Sequence, residues 1–551
     1  MNVKLALNKN SEPRHWIVSL LLIQPVLLLY FAHFFLFNNN INIVPTGFIH
    51  PDMPYYMANA REHFDNGSFQ ITYGNPSSPY YETPAIYFQP MSVFLGILLS
   101  SLKSDPGLLF MVFGFLSALI CSRVGLAFYQ EVIADRSWQS RLGLIVFFYG
   151  GGLLVIAGLL FSIIKGAGTN GIFHFDPFDG WWFLNFGRNL IFPTEAFYHS
   201  LFLGNILLLI RKKFAASLLV SFILTISHPF TGIENIVILL AWSFLEKYFL
   251  QNNNIPKYFF PCCVVIAAYH FIYYFLFLNL FQEHRQLVSQ WSLAWELKAS
   301  NILLAYCLVG GLALWRIRNM DSAIEFFSDI RNRLFTVWFI VVFILANHEF
   351  FIDPVQPIHF ARGYIWISLF MMGRKTLFDL FNFFKKKLNK TIQISILTVL
   401  FCVFISDNVT WVVTQVMNNY SDHSKLGIYM THYQREILTW INKNYKNHVV
   451  LSQDLALSYY IPCYTSLRTW HSHVYNTPYV SMRKQQLIEL FRYGKFYEYW
   501  QSINLLIIFQ DKLAQKVLKK EPDWLVNNNG VLVYKNSRYV IYRISPQGIM
   551  Q

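Results

Sequence analysis

The sequence predicts a multispanning α-helical membrane protein, with a small α/β domain at its C-terminal end. Three observations predict this. Of 551 residues, 54% are hydrophobic and 13% charged, where soluble domains carry roughly 25% charged residues. Apolar runs long enough for a bilayer recur through about the first three quarters of the chain. From about Asn418 the character changes to Lys- and Asn-rich sequence with short β-type runs and no spanning stretch.

The first apolar run, 16–37, is about 22 residues long, which suits a spanning helix better than the shorter core of a cleavable signal. "NNNINIVP" follows it in place of a small-residue cleavage site, so a retained first span is expected. A polar first loop, 38–84, comes next. The stretch 85–102 carries Pro90, which leaves about 12 clean apolar residues; it is expected to lie at the interface or re-enter. Further spans are expected at 107–129, 142–164, 196–210, 214–229, 233–250, 258–281, 299–315, 334–347, 357–373 and 391–417, about eleven crossings in all.

Basic clusters set the orientation. They are "RKK" at Arg211, "RIRN" at Arg316, "RNR" at Arg331 and "KKKLNK" at Lys385. With the N-terminus inside and 85–102 not crossing, about 20 Lys/Arg fall in cytoplasmic loops and about 6 outside, as the positive-inside rule demands. If 85–102 crosses, the bias inverts. The N-terminus is therefore expected in the cytoplasm and the tail outside, in a bacterial inner membrane. The same placement accounts for the net charge of +14 without a nucleic-acid partner.

In the tail, 418–551, "HVVLSQD" and "NLLIIFQD" read as buried strands. "VLVYKNSRYVIYRI" reads as a hairpin around "KNS". "THYQREILTWINKNY" and "RKQQLIELFRYGKFYEYW" have helical spacing. The six cysteines show neither a CxxC pair nor zinc spacing, so no disulfide framework is expected.

The acidic and histidine clusters all fall on the side assigned as outer, and they are expected to converge on one cavity. Asp52, in "HPDMPYYMANAREHFDNG", has two readings. Asp is a favoured N-cap and Pro54 fits a first helical turn. Equally, a carboxylate at the membrane boundary, beside Tyr55 and next to His50, could take a proton from an acceptor hydroxyl. Asp176 and Asp179, in "FDPFDGWW", form either an Asx turn with interfacial tryptophans or a pair that hydrogen-bonds a sugar or holds Mg²⁺ or Mn²⁺. Glu195 and His199 lie four apart and share a helix face. With His228 and Glu234 they place ionisable groups inside spans, where such groups usually face a cavity or pair across helices. His348, Glu349, Asp353, His359 and Arg362 form the last cluster. Arg362 either snorkels to headgroups or meets a lipid phosphate with its two-pronged guanidinium, helped by the histidines. GxSxG, Walker, GxGxxG and HExxH motifs are absent, so a sugar donor would have to be carried by a lipid.

This arrangement resembles the GT-C superfamily of integral-membrane glycosyltransferases. The residues that carry the resemblance are the long first loop with Asp52 at the start of a helix, the Pro-containing "YETPAIYFQP" after it, the many spans and the outer tail. The tail stretch "LTWINKNYKNHVVLSQDLALSYYIPCYTSLRTWHSHVYNTPY" is similar to outer domains of bacterial GT-C-like proteins. The resemblance implies a polyprenyl-phosphate-linked sugar donor and Asp52 as catalytic base. It also implies Asp176 and Asp179 as a second acidic motif, Arg362 as a lipid-phosphate ligand, and a lipid, glycan or protein acceptor. Where many members carry a double acidic residue, this chain has Asp52-Met53. A lone base with direct displacement implies inversion at the anomeric carbon. The competing readings are a transporter or flippase for a lipid-linked sugar, a glycan ligase or polymerase, and a non-catalytic scaffold.

Overall fold

A computed structural model of the protein describes residues 12–36, 42–65, 67–79, 84–134, 137–175, 183–291, 298–421, 426–510 and 522–545. They form two compact units. One takes in the described residues of Met1–Leu29, Phe113–Phe275 and Ser292–Met417; the other, those of Tyr30–Val112, Leu276–Trp291 and Asn418–Gln551.

Five described helices are long and apolar enough to cross a membrane: Pro106–Val132, Pro229–Phe249, Phe259–Leu280, Ala299–Arg316 and Lys390–Asn419. Two bent pairs raise the number to seven if each is one span. The protein is therefore an integral, multi-pass membrane protein. The other expected spans are also helical but shorter or more polar, among them Pro193–Ile210, Phe214–Ser227, Ile330–Ala346 and Tyr364–Lys387. Pro90–Leu102 has 13 residues, about 20 Å of helix against a hydrocarbon core of about 30 Å. Phe214–Ser227 is the other shorter apolar helix among the described residues.

The bends have local causes. The run expected as one span at 142–164 is two helices, Trp138–Tyr149 and Leu154–Lys165, set at 64°. Gly150, Gly151 and Gly152 interrupt the helix, and in an apolar medium the freed backbone groups need protein partners. Asp407, fully buried, supplies them: Oδ2 accepts from Gly152 N at 2.8 Å, and Oδ1 from Val155 N at 3.0 Å. Asn408 Nδ2 donates to Gly150 O at 2.9 Å, and Leu153 N to Leu304 O at 2.8 Å. A Cβ on Gly152 would lie 2.2 Å from Leu304 O, so the chain passes only without a side chain. The first run likewise splits into Pro13–Leu22 and Gln24–Leu36, bent by 51°. Pro25 lacks the N–H that would continue the helix, and the Tyr149 hydroxyl donates to the Leu22 carbonyl at the break.

The second unit is built on two sheets. Strands β1 (Ile43–Pro45) and β2 (Tyr429–Thr431) pair antiparallel. The larger sheet contains β3 (Val449–Ser452), β4 (Arg468–Thr469), β5 (Leu505–Gln510), β6 (Val531–Lys535) and β7 (Tyr539–Ile544), in the order β4-β3-β5-β7-β6. β3 runs parallel to β4 and β5, and β7 antiparallel to β5 and β6. β6 and β7 are the expected hairpin around "KNS". The run "LLIIF" is apolar throughout because β5 is covered on both faces. Leu505, Ile507 and Phe509 pack with Trp470, Trp500 and Leu490. Leu506 and Ile508 pack with Ile437 and Ile441 of helix His432–Asn444 and with Leu457 and Tyr460 of helix Leu455–Tyr464.

The first loop is fastened to this domain. Thr46 Oγ1 donates to Ile428 O at 2.7 Å. Glu62, at the end of helix Met53–Glu62, pairs with Arg468 in the sheet, with Nε to Oε1 at 3.1 Å. Arg483 is 1% exposed and donates to Ser77 O at 3.0 Å and Ser78 Oγ at 3.2 Å, while its guanidinium lies 4.8 Å over Trp470.

Candidate functional site

Asp52 does not cap its helix. It precedes Met53–Glu62 with helical φ/ψ of −76° and −16°, and its side chain makes no cap bond; Pro54 suffices to start the helix. The N-cap reading is thereby overturned, because the carboxylate points elsewhere. Oδ1 lies 3.1 Å from His473 Nε2, and Oδ2 3.5 Å from His50 Nδ1. The side chain is 46% exposed, whereas that of His473 is 5% exposed. Neighbouring atoms that displace water raise the Asp52 carboxyl. The charge that His50 carries when protonated, and the hydrogen bond of His473 with the charge it carries when protonated, outweigh this and hold it well below the usual carboxylate range. Asp52 is therefore ionised at any physiological pH.

An aromatic collar surrounds the pair. The rings of Tyr55, Tyr459 and Tyr475 lie 5.2, 5.5 and 6.1 Å from that of His473. Glu283, in helix Gln282–Trp291, is buried and close enough for its charge to push the Tyr55 hydroxyl up, after the larger effect of burial. Neither His473 nor Glu283 was singled out from the sequence. "TWHSH" did carry a signal, two histidines with one residue between them, but nothing local ties it to Asp52.

The first unit holds a second cluster. Arg362, 4% exposed, donates from Nη1 to Glu195 Oε1 at 2.9 Å and from Nη2 to His359 Nδ1. Nη1 also stands 3.4 Å from His228 Nε2. His228 begins helix Pro229–Phe244, and its Nδ1 accepts from Thr231 N at 3.1 Å. A backbone amide only donates, so the His228 proton sits on Nε2. Two donors, one a full cation, thus face each other, an arrangement suited to sharing an anionic oxygen. His199 Nε2 lies 2.9 Å from Arg362 O, and Nδ1 2.9 Å from Glu195 O, so the neutral ring donates to one of the two carbonyls. Arg188 is a second buried cation, with Nη1 on Asn189 Oδ1 at 2.8 Å. Glu234 is fully buried, and neither carboxyl oxygen has a hydrogen-bond partner among the described residues.

Other candidates fall outside both clusters. His348 uses both ring nitrogens on backbone, Nδ1 with Leu345 O at 2.6 Å and Nε2 with Val355 N at 2.9 Å. It staples its own loop and has no nitrogen left for a phosphate. Asp353 is exposed on that loop. Asp176 and Asp179 lie outside the described residues. Among the described residues no group of three His, Cys, Asp or Glu could hold a metal ion. The Asp52 pocket does not fit one, because His473 presents a proton there and not a lone pair.

No family profile and no curated protein matches the chain. Solved structures of similar fold extend over nearly all of it. The Archaeoglobus fulgidus oligosaccharyltransferase, tethered with an acceptor peptide containing the NVT sequon, is 12% identical over 98% of this chain and 75% of that one, with a TM-score of 0.47. ArnT from Cupriavidus metallidurans bound to undecaprenyl phosphate is 12% identical over 96% of this chain and 98% of that one, with a TM-score of 0.44. Its apo form is 11% identical with the same coverage and a TM-score of 0.47.

Proposed function

We propose that the protein transfers a sugar from a polyprenyl-phosphate-linked donor to an acceptor hydroxyl at the outer face of the membrane, with inversion. The observation that carries this is Asp52: a carboxylate at the start of a helix that neither caps it nor, among the described residues, forms an Arg or Lys ion pair, and is instead held between two imidazoles with nearly half its surface open.

The chemistry is a single displacement. The acceptor oxygen bonds to the anomeric carbon as the bond from that carbon to the phosphate oxygen breaks, and the electron pair leaves with the lipid phosphate. The acceptor proton passes to Asp52. A phosphate anion departs without an acid, so the demands on the protein are a base for the hydroxyl and positive charge for the phosphate. Asp52 takes the proton as the hydroxyl bonds to carbon. Arg362 with His228 and His359 would receive the phosphate. Tyr55 and its aromatic neighbours would bound the acceptor.

The topology that goes with this role has about eleven crossings, the N-terminus in the cytoplasm, and the first loop and tail outside a bacterial inner membrane. Asp176 and Asp179 would bind sugar hydroxyls. Any Mg²⁺ or Mn²⁺ requirement would rest on them and is tested by chelation. The acceptor is a lipid, glycan or protein.

The test is mass spectrometry of surface glycolipids and glycoproteins from cells with the wild-type gene, without it, and with Asp52→Asn. A product that depends on the gene and disappears in Asp52→Asn, at equal protein in the membrane, is expected. A gene-dependent product that persists in Asp52→Asn eliminates Asp52 as the base. A product of retained configuration eliminates the single displacement.

A further inference from the structure

The two oxygens of Asp52 are not equivalent. Oδ1 faces His473 Nε2 at 3.1 Å. Oδ2 faces His50 Nδ1 at 3.5 Å, but that nitrogen already accepts from the Asp52 amide at 3.3 Å, so the neutral ring has no proton there to give. His473 has no such ambiguity. Its Nδ1 faces the Tyr475 amide at 3.2 Å and Asn476 Nδ2 at 3.0 Å. The backbone N–H can only donate, so Nδ1 accepts and Nε2 carries the proton toward Asp52.

The ring is held as firmly as its tautomer. Its loop is tied down on both sides: Ser472 N donates to Thr477 Oγ1 at 3.2 Å, Ser472 Oγ bonds Ser77 Oγ at 2.7 Å, and Asn75 Nδ2 donates to Asn476 O at 2.8 Å. Residues Ser77 and Asn75 belong to the same first loop as Asp52. The tail thus reaches the loop through a built contact, and His473 arrives at Asp52 across 421 positions of sequence.

We infer that His473 is the positioning residue for Asp52: its Nε2–H holds Oδ1 and leaves Oδ2 as the oxygen that meets the acceptor hydroxyl. This rests on Asp52 being the base. His473 exchanges no proton in the reaction; the acceptor proton goes to Oδ2 while the imidazole stays neutral and fixed. The C-terminal domain is thereby part of the active site and not an appendage to it.

The experiment separates a hydrogen-bond donor from a packing group. His473→Gln keeps an N–H at about the reach of Nε2 but loses the ring. His473→Phe keeps a ring among the three tyrosines but loses the donor. Each is made in the full-length chain, beside Asp52→Asn, in cells lacking the active gene. The initial rate of accumulation of the gene-dependent glycan is measured by mass spectrometry and normalised to membrane protein. We expect His473→Phe to slow accumulation about tenfold or more, and His473→Gln to stay within about threefold of wild type, the size of effect expected from losing one hydrogen bond to a charged group. The reverse order, with Phe active and Gln inactive, overturns the inference, because ring packing would then be what matters. Equal loss in both, or loss in neither, overturns it too. Persistence of the glycan in Asp52→Asn is a different failure, that of the base assignment itself.

Discussion

Removing Arg468 should loosen the first loop from the tail by an amount the structure fixes within limits. Glu62 and Arg468 are 8% and 5% exposed and bonded through two oxygens and two nitrogens. Burial raises the Glu62 carboxyl, and Arg468 offsets only part of that. In Arg468→Leu the carboxylate has two routes. It can stay charged without its partner, which costs about 3–5 kcal/mol. Or it can bind a proton, which from neutral solution costs about 1.4 kcal/mol for each pH unit above the ordinary Glu value of about 4.3, or roughly 3.7 kcal/mol at pH 7. The cheaper route sets the loss at about 3–4 kcal/mol, worth roughly 10 °C in a unit of this size. The pH dependence has a definite sign. A carboxyl whose folded-state pKa is raised destabilises the fold increasingly as pH climbs above the unfolded value, and the effect fades as pH falls. The deficit of Arg468→Leu should therefore shrink between about pH 7 and 5, by at most about 1.4 kcal/mol per unit, because wild-type Glu62 is itself raised. Adding Glu62→Gln should recover most of it at pH 7, since no charge is then stranded. Thermal unfolding of the detergent-solubilised protein, followed by tryptophan fluorescence, includes the signal of Trp470, two residues from Arg468, and of Trp500 packed on it at 5.6 Å. An unchanged midpoint at pH 7, or a deficit that does not shrink on acidification, would refute the reasoning.

Asp407→Ala should lower the yield of folded protein and its melting temperature, because backbone amides at the Gly150–Gly152 break lose their acceptor in an apolar setting, at about 1–3 kcal/mol each; Asp407→Asn should retain part of the stability. Arg362→Lys and His228→Phe should each weaken binding of a polyprenyl phosphate about tenfold, measured by ligand-induced thermal stabilisation, since Lys lacks the guanidinium fork and Phe the second donor; unchanged binding would remove the anion role. Asp65, pushed up to about 7 by burial against the pull of Arg61, destabilises the unit increasingly as pH climbs from the unfolded value of about 4 to 7, and fully above 7. Asp65→Asn should accordingly raise the melting temperature at about pH 8, raise it less at about pH 5, and leave it unchanged near pH 4.

Composition exposes a membrane fold readily, but it does not show where a helix breaks. The run 142–164 is apolar almost throughout, so hydropathy joins it into one span. The break depends on Asp407 and Asn408, some 250 residues away, which accept or donate at the glycines. Glycine in a spanning helix is ordinary, and only distant polar partners turn a triplet into a 64° bend. The tail was easier to read, because its signals are local. Alternation marks "VLVYKNSRYVIYRI" as a hairpin, and "LLIIF" bounded by polar residues marks a strand covered on both faces.

The candidate sites follow the same rule. Glu195, His199, His228, His359 and Arg362 were chosen because ionisable groups in spans are expensive, and that cost is visible residue by residue. Asp52 was visible for a weaker reason, its position before a helix, and that very position favoured a capping role. What separates the two readings is the direction of the side chain, and the direction is set by His473. Nothing in "HPDMPYY" says that an imidazole will stand 3.1 Å from Oδ1, and nothing in "TWHSHVYN" says whether His473 will donate or accept. The tautomer is decided by the Tyr475 amide, two residues on, through a turn whose shape depends on Ser77 and Asn75 in the first loop. A base and its orienting donor from opposite ends of a chain are legible only once the fold has joined them. Dependence of the reaction on the donor at position 473, beyond dependence on a ring there, is therefore the sharpest available evidence that loop and tail work as one site.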